Sequence, residues 1–464
     1  MSDCPFEIEI ITARPARGRE TVLCRKVLRT VPRRRQVLEG DWQNQSVVIK
    51  LFYSRIHGLR HLRREWSGLS EMERRNIPAP KPLLAGKTKE GARALIIQNV
   101  PNARTVSEVW IQEKNPSALR HLLENLLRFT IQMHEKGIIQ RDFHAGNFLL
   151  KGDEIFALDP AQIRFSNRPV SAGLCLKQIA VLLNSLPKKQ DFDLLETALI
   201  FLKENHPLWT EGTRDIFRNY YFSAQEKNLK RFLKKSLRSS KRTLSIKTGN
   251  LYGIFRKDIF EHSSAAELAK RIDVLMEGGI FLKKGNTCTV SRIQIGNQDL
   301  VVKRYNFRGW WHSFRHSLKG SRARKCWLDG HRLLYANIST ALPAAFIEKR
   351  KGLFLTQSYI LNRYIAGPCL NDFLHSPANT DQEKQRILLK METLLDQLKQ
   401  NKITHNDLKL TNLLIYENSP FLIDLDSLCV HPFHWLLERY YQKTKCRFQA
   451  RLQENGNAGK RLNS

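Results

Sequence analysis

The chain has 464 residues, room for two or three domains with cores of their own, and its 42% apolar content is that of a globular protein. Its net charge of +33 implies a polyanionic partner, leaving open nucleic acid, an anionic membrane or a phosphorylated substrate. Eight scattered cysteines without a Cys-x-x-Cys pair argue against a zinc site or disulfide framework, the acidic start Met1–Glu7 is not a secretion signal, and no run nears the ~20 apolar residues of a membrane span, so a soluble or peripheral cytoplasmic protein is expected.

Residues 1–48 read as short strands broken by basic clusters, at Arg14, Arg17 and Arg19 and again at Arg33-Arg34-Arg35. Where a glycine-rich hairpin would cover nucleotide phosphates stands Arg29-Thr30-Val31-Pro32-Arg33, so any phosphate cover is made of basic side chains. Val47–Phe52 is a clean strand with one embedded lysine, Lys50, like the strand lysine that contacts α and β phosphates. The basic helical stretch Arg60–Arg75 carries Glu65, whose carboxylate would pair with Lys50 and hold it toward a nucleotide. Ile77-Pro78-Ala79-Pro80-Lys81-Pro82 stops that helix, since proline cannot continue it. Leu95–Val100 reads as the next strand. Residues 117–135 read as an amphipathic helix whose leucine stripe is core, with His134 a buried structural histidine.

Gly137–Leu150 reads as strand, loop, strand, with Asp142 and Asn147 in the Asp-x-x-x-x-Asn spacing of the phosphoryl-transfer loop of protein-kinase-like enzymes. Gln140 stands where such loops commonly have histidine. Seventeen residues after Asp142, the strand Ile155–Leu158 ends in Asp159. Pro160-Ala161 follows in place of Phe-Gly, which predicts a loop stiffer than a switching activation segment. Residues 172–237 read as helices ending in the basic run Lys227–Lys235, which suits either membrane contact or a solvated face.

A polar join at Thr248-Gly249-Asn250 is the expected boundary, giving domains 1–248 and 249–464. A helix near 263–276 and further strands follow, and Leu300–Tyr305 repeats the strand lysine as Lys303. Phe307–His316 interleaves aromatic and basic residues, which suits an interfacial or nucleic-acid surface and equally a buried packing. Aligning Trp327 with Trp66 puts Cys326 where Glu65 stood, so Lys303 lacks its carboxylate unless Asp329 supplies one from the next turn. Lys402–Lys409 then brings Asp407, followed by Asn412 and, again seventeen residues after the first aspartate, Asp424. About forty residues remain, a small C-terminal lobe.

Chemistry explains the residue types. A hydroxyl attacking a γ-phosphate needs a carboxylate to orient it and accept its proton, the role for Asp142 or Asp407. Magnesium prefers hard oxygen ligands, here the carboxylate of Asp159 or Asp424 and the amide oxygen of Asn147 or Asn412. Asp and Asn also favour turns, but two sets with equal internal spacing weigh against that reading.

At these residues the chain resembles the bacterial lipopolysaccharide core kinase family, which phosphorylates heptose or Kdo sugars of the inner core, here as two tandem copies. The second half carries Val302-Lys303-Arg304-Tyr305 with Arg308-Gly309-Trp310, Ser321-Arg322-Ala323-Arg324, His331-Arg332-Leu333-Leu334, the His405-Asn406-Asp407-Leu408-Lys409 loop with Asn412, and Ile423-Asp424-Leu425-Asp426. The first half is similar through Arg64-Glu65-Trp66 and Ile77-Pro78-Ala79-Pro80. The resemblance implies an α+β fold of two protein-kinase-like bilobal domains, each a small β-rich lobe with a helical lobe, the second helical lobe short. It implies ATP with Mg²⁺, a sugar hydroxyl acceptor on a phosphorylated glycolipid, and work at the anionic cytoplasmic face of the inner membrane, with no nucleic acid. Lys50, Glu65 and Lys303 would serve the nucleotide, Asp142 and Asp407 would be bases, and Asn147, Asp159, Asn412 and Asp424 would bind metal. The first half is expected to be the catalytic one, the second catalytic or regulatory. A kinase acting on protein or on a small molecule such as an aminoglycoside, and a non-enzymatic scaffold of two pseudokinases, are the competing readings.

Overall fold

A computed structural model describes residues 5–15, 18–189, 192–207, 209–210, 212–306, 320–352 and 354–461. The stretch Phe307–His316 lies outside the described residues. The chain divides into two compact units, Met1–Lys227 and Asn228–Ser464, both of them α+β.

In the first unit, β1 (Phe6–Arg14), β2 (Arg19–Val31), β3 (Arg35–Trp42) and β4 (Gln45–Phe52) form an antiparallel meander. After α1 (Arg55–Arg74), β5 (Pro82–Thr88) and β6 (Arg93–Gln98) complete a closed barrel in the order β1-β2-β3-β4-β6-β5. Pairing of β1 with β5 closes it, which removes the free edge a short sheet would expose. Ile10, Val22, Leu38, Ile49 and Ile96 fill the barrel. The two-residue period of β4 turns Val48, Lys50 and Phe52 to the opposite face, where Leu62 and Leu69 of α1 pack. The one lysine in the apolar run Val47–Phe52 is thereby aimed at a helix.

The helical part follows: β7 (Arg104–Thr105), α2 (Val106–Gln112), α3 (Pro116–Glu135), β8 (Ile138–Gln140), β9 (Phe148–Lys151), β10 (Glu154–Ala157), β11 (Ile163–Phe165), α4 (Ala172–Leu183), α5 (Leu194–Asn205) and α6 (Thr213–Ser236). Leu123, Leu126 and Leu127 of α3 form its core with Ile179, Leu202 and Phe217. His134 is buried there and donates from Nε2 to Gln178 Oε1 at 2.8 Å, as a structural histidine should. Burial pushes its imidazole down to about 4, so it is neutral in the folded state at pH 7. The unfolded chain therefore binds more protons between pH 6.5 and 4, and the first unit should lose stability as pH falls through that window, by up to about 3 kcal/mol. Urea midpoints at pH 7 and pH 5 check this, and His134→Gln should flatten the difference.

The second unit begins in the last turns of α6 and continues with β12 (Thr243–Thr248), β13 (Leu251–Arg256), α7 (His262–Glu277), β14 (Ile280–Lys284), β15 (Cys288–Ile295), β16 (Gln298–Asn306), α8 (Arg322–Tyr335), β17 (Pro343–Lys351) and β18 (Phe354–Arg363). Its strands form a seven-stranded sheet in the order β12-β13-β17-β18-β16-β15-β14. Then come α9 (Leu370–His375), α10 (Asp381–Gln400), β19 (Ile403–His405), β20 (Leu413–Tyr416), β21 (Ser419–Leu422), β22 (Leu428–Val430) and α11 (His434–Arg461). Thr248-Gly249-Asn250, expected as the join between halves, is instead the tight turn of the β12–β13 hairpin, with Gly249 at φ 53°. A hairpin turn and a linker share polar, glycine-containing composition, so local sequence does not separate them.

Candidate active site

In the first unit, register brings two loops together. Pairing of β8 with β11 and of β9 with β10 sets the loop carrying Asp142 beside the turn carrying Asp159. Asn147 donates from Nδ2 to the Asp142 carbonyl at 2.8 Å, and its own carbonyl accepts from Leu158 N at 2.8 Å. Gln140 is buried and donates from Nε2 to the Leu158 carbonyl at 3.3 Å, so a glutamine here ties the two loops together. Asp159 has φ 54°, a left-handed conformation a non-glycine residue adopts at a cost.

Lys50 reaches across from β4, its Nζ 2.5 Å from Glu65 Oε2 on α1. Glu65 is 1% exposed, and Arg35 Nη1 stands 3.7 Å from its other oxygen, so the buried carboxylate is compensated by two cations. A Cβ on Gly68, one turn along α1, would lie 2.7 Å from Pro160 Cβ. Only glycine lets the helix carrying Glu65 rest directly on the turn carrying Asp159.

Burial pushes the Asp159 carboxyl up, Glu65 and Asp142 push it further, and Lys50 and Arg35 oppose them. Among the described residues no group of three or more His, Cys, Asp or Glu could hold a metal ion by itself. A magnesium ion held by Asp159 and the amide oxygen of Asn147 would take the rest of its shell from phosphate and water, its usual habit. The donor types of Asp159 and Asn147 suit that ion.

The second unit repeats this arrangement. Asp142 and Asp407, Asn147 and Asn412, and Asp159 and Asp424 are each 265 positions apart. Asn412 Nδ2 donates to the Asp407 carbonyl at 3.0 Å, Ile423 N to the Asn412 carbonyl at 2.9 Å, and Asp424 has φ 58°. His405 Nε2, at Gln140's place, donates to the Asp424 carbonyl at 2.9 Å.

At the lysine the two units part. Cys326 occupies Glu65's place and Asp329 does not take over: it is 2.9 Å from Lys325, four residues earlier on its own helix, with Arg332 at 3.8 Å. A partner at i−4 lies closer than a strand lysine one turn away, so the expectation for Asp329 is corrected. Lys303 Nζ instead lies 2.5 Å from Asp424 Oδ1 and 2.6 Å from Asp426 Oδ2. Asp426 also accepts from Arg322 at 3.0 Å, Tyr305 OH at 2.7 Å and Cys326 Sγ at 3.1 Å. Burial alone would raise its carboxyl, but Lys303, Arg322 and Tyr305 hold it down to about 2. Burial and Asp426 push the Cys326 thiol up, which keeps it a neutral donor. Sequence reasoning assigned Asp426 no role. The available signal was its place two residues after Asp424, where the first unit has Ala161 after Asp159.

Residues 43–165 match the family described as lipopolysaccharide kinase (Kdo/WaaP), a span containing Lys50, Glu65, Asp142, Asn147 and Asp159. No curated protein matches the chain. The match lies within the first unit, so it covers one of the two copies read from the sequence. Residues 43–165 are thus similar to a lipopolysaccharide kinase (Kdo/WaaP) family domain, which supports a kinase-like fold over that span.

Proposed function

We propose that the first unit transfers phosphate from ATP to a sugar hydroxyl, heptose or Kdo, of the lipopolysaccharide inner core. The observation that carries this reading is the buried Lys50–Glu65 pair set against Asp142, Asn147 and Asp159 inside the matched span. Glu65 holds Lys50 toward the nucleotide phosphates. Asp142 orients the acceptor hydroxyl and takes its proton, and Asn147 and Asp159 are the residues for magnesium. The ion, when bound, neutralises charge on the phosphates. The second unit, with Lys303, Asp407, Asn412 and Asp424, is a second phosphotransfer centre or a regulatory partner. The net charge of +33 supports contact with the anionic cytoplasmic face of the inner membrane.

A basic cavity supports an anionic acceptor. It measures about 620 Å³, its walls include Arg33, Arg34, Arg35, His57 and His61, and none of its lining residues is acidic. Arg35 also faces Glu65, which puts the cavity beside the lysine pair. Arg33→Ala with Arg34→Ala should raise KM for the anionic core about tenfold, as lost charge-assisted contacts would, with kcat nearly unchanged. Initial rates against core concentration decide it; a KM left at wild type would remove the cavity from acceptor binding.

The test of the function is transfer from labelled ATP to dephosphorylated lipopolysaccharide core by wild type, Asp142→Asn and Asp407→Asn. Loss with Asp142→Asn alone assigns chemistry to the first unit, and loss with Asp407→Asn alone assigns it to the second. No transfer by a wild type that binds ATP would point to another acceptor, and no ATP binding to the scaffold reading.

A further inference from the structure

We infer that the second unit, outside the matched span, holds its own nucleoside triphosphate site, and that Asp426 positions Lys303 there as Glu65 positions Lys50. The inference rests on the reading above, in which the strand lysine and loop carboxylates serve ATP. It goes further by naming Asp426, to which no role was assigned, as the residue that completes the second unit's site.

Two positions have exchanged a carboxylate between the units. The first has Glu65 on its helix and Ala161 after Asp159; the second has Cys326 on its helix and Asp426 after Asp424. Loss at one position and gain at the other leave each lysine with one dedicated carboxylate, 2.5 Å from Lys50 and 2.6 Å from Lys303. Each carboxylate also has a second cation, Arg35 in the first unit and Arg322 in the second. A carboxylate whose work was only to join α8 and β16 to the turn after Asp424 would be served by Arg322, Cys326 and Tyr305 alone. Lys303 is held as well, at the strand position and beside the loop carboxylate that repeat those of the first unit.

Lys303 also contacts Asp424, one of the two residues read as magnesium ligands. A bound ion with its phosphates would compete for Asp424, and Asp426 would then keep the lysine in place. In the first unit the lysine's carboxylate lies on a separate element, α1, whereas Asp426 lies in the turn that Asp424 caps.

The experiment uses the full chain carrying Lys50→Met, which removes the first unit's phosphate-holding lysine. Trinitrophenyl-ATP with Mg²⁺ should still titrate one site by fluorescence. Adding Asp426→Asn should weaken that site about tenfold, the worth of one charge-assisted hydrogen bond, and adding Cys326→Glu to Asp426→Asn should restore it. Asp426→Asn that lowers the melting temperature yet binds the probe as tightly would make Asp426 purely structural and overturn the inference. So would failure of Cys326→Glu to restore binding in a variant that circular dichroism shows folded. Should Asp426→Asn not fold, Asp426→Glu and the double variant decide by the same titration. No site in the Lys50→Met background, with one in wild type, overturns the second site and leaves the first unit's reading standing. No binding by wild type removes both.

Discussion

Asp142→Asn is expected to lower phosphate transfer to lipopolysaccharide core by about 10²–10⁴-fold, the contribution of a positioned general base. Asparagine keeps the size of the side chain and leaves intact the backbone carbonyl that Asn147 binds, so the loop should stay folded. What it loses is the proposed proton acceptor. Lys50, Glu65 and Asp159 are untouched, so nucleotide affinity should stay near wild type and the effect should fall on kcat. Labelled-ATP transfer at saturating core, with separately measured ATP binding, checks both halves of the expectation. Full activity in Asp142→Asn would refute the assignment of Asp142. A parallel loss of ATP affinity would mean the carboxylate acts on the nucleotide complex instead. Asp407→Asn serves as the internal comparison, since its loop has the same backbone bonds but sets Lys409 Nζ 3.0 Å from the aspartate.

Asp426→Asn should destabilise the second unit by about 3 kcal/mol, the lower end for breaking a buried ion pair from one side. Lys303 keeps Asp424 and Arg322 is partly exposed, which holds the cost at that end. Urea unfolding of the full chain should show one transition moving to lower midpoint while the other stays in place. The same carboxyl adds a pH dependence to wild type. Its folded value of about 2 lies below the ordinary 3.8, so its stabilisation is complete above about pH 4 and is lost as pH falls through about 2. Over that window Asp426→Asn should be the less sensitive protein. Equal unfolding midpoints for mutant and wild type at pH 7 would show that the network around Asp426 carries no net stability.

Much of the site was legible because its residues sit in short local patterns. The Asp-x-x-x-x-Asn spacing and the strand ending in aspartate are each contained in a few residues, and local hairpins carry them into place. Lys50 and Glu65 were legible for a similar reason, a strand followed directly by the helix that packs on it. Asp329 misled because helix spacing alone does not say which cation is nearer, and Lys325 was on the same helix. The hairpin turn at 248–250 misled because a strand partner later in the chain, β17, is what makes β13 part of a sheet.

The sequence by itself determined the candidate residues: two sets of lysine, aspartate, asparagine and aspartate, the last three spaced alike, with one glutamate missing from the second. Each rests on periodicity or spacing within a segment, which local physics reads directly. Only the tertiary structure decided that Asp426 meets Lys303, 123 residues away, that Gly68 rests on Pro160, and that the first unit's strands close into a barrel while the second unit's form a seven-stranded sheet. Those contacts depend on how distant elements pack, and a buried cation takes whichever carboxylate the packing brings within reach.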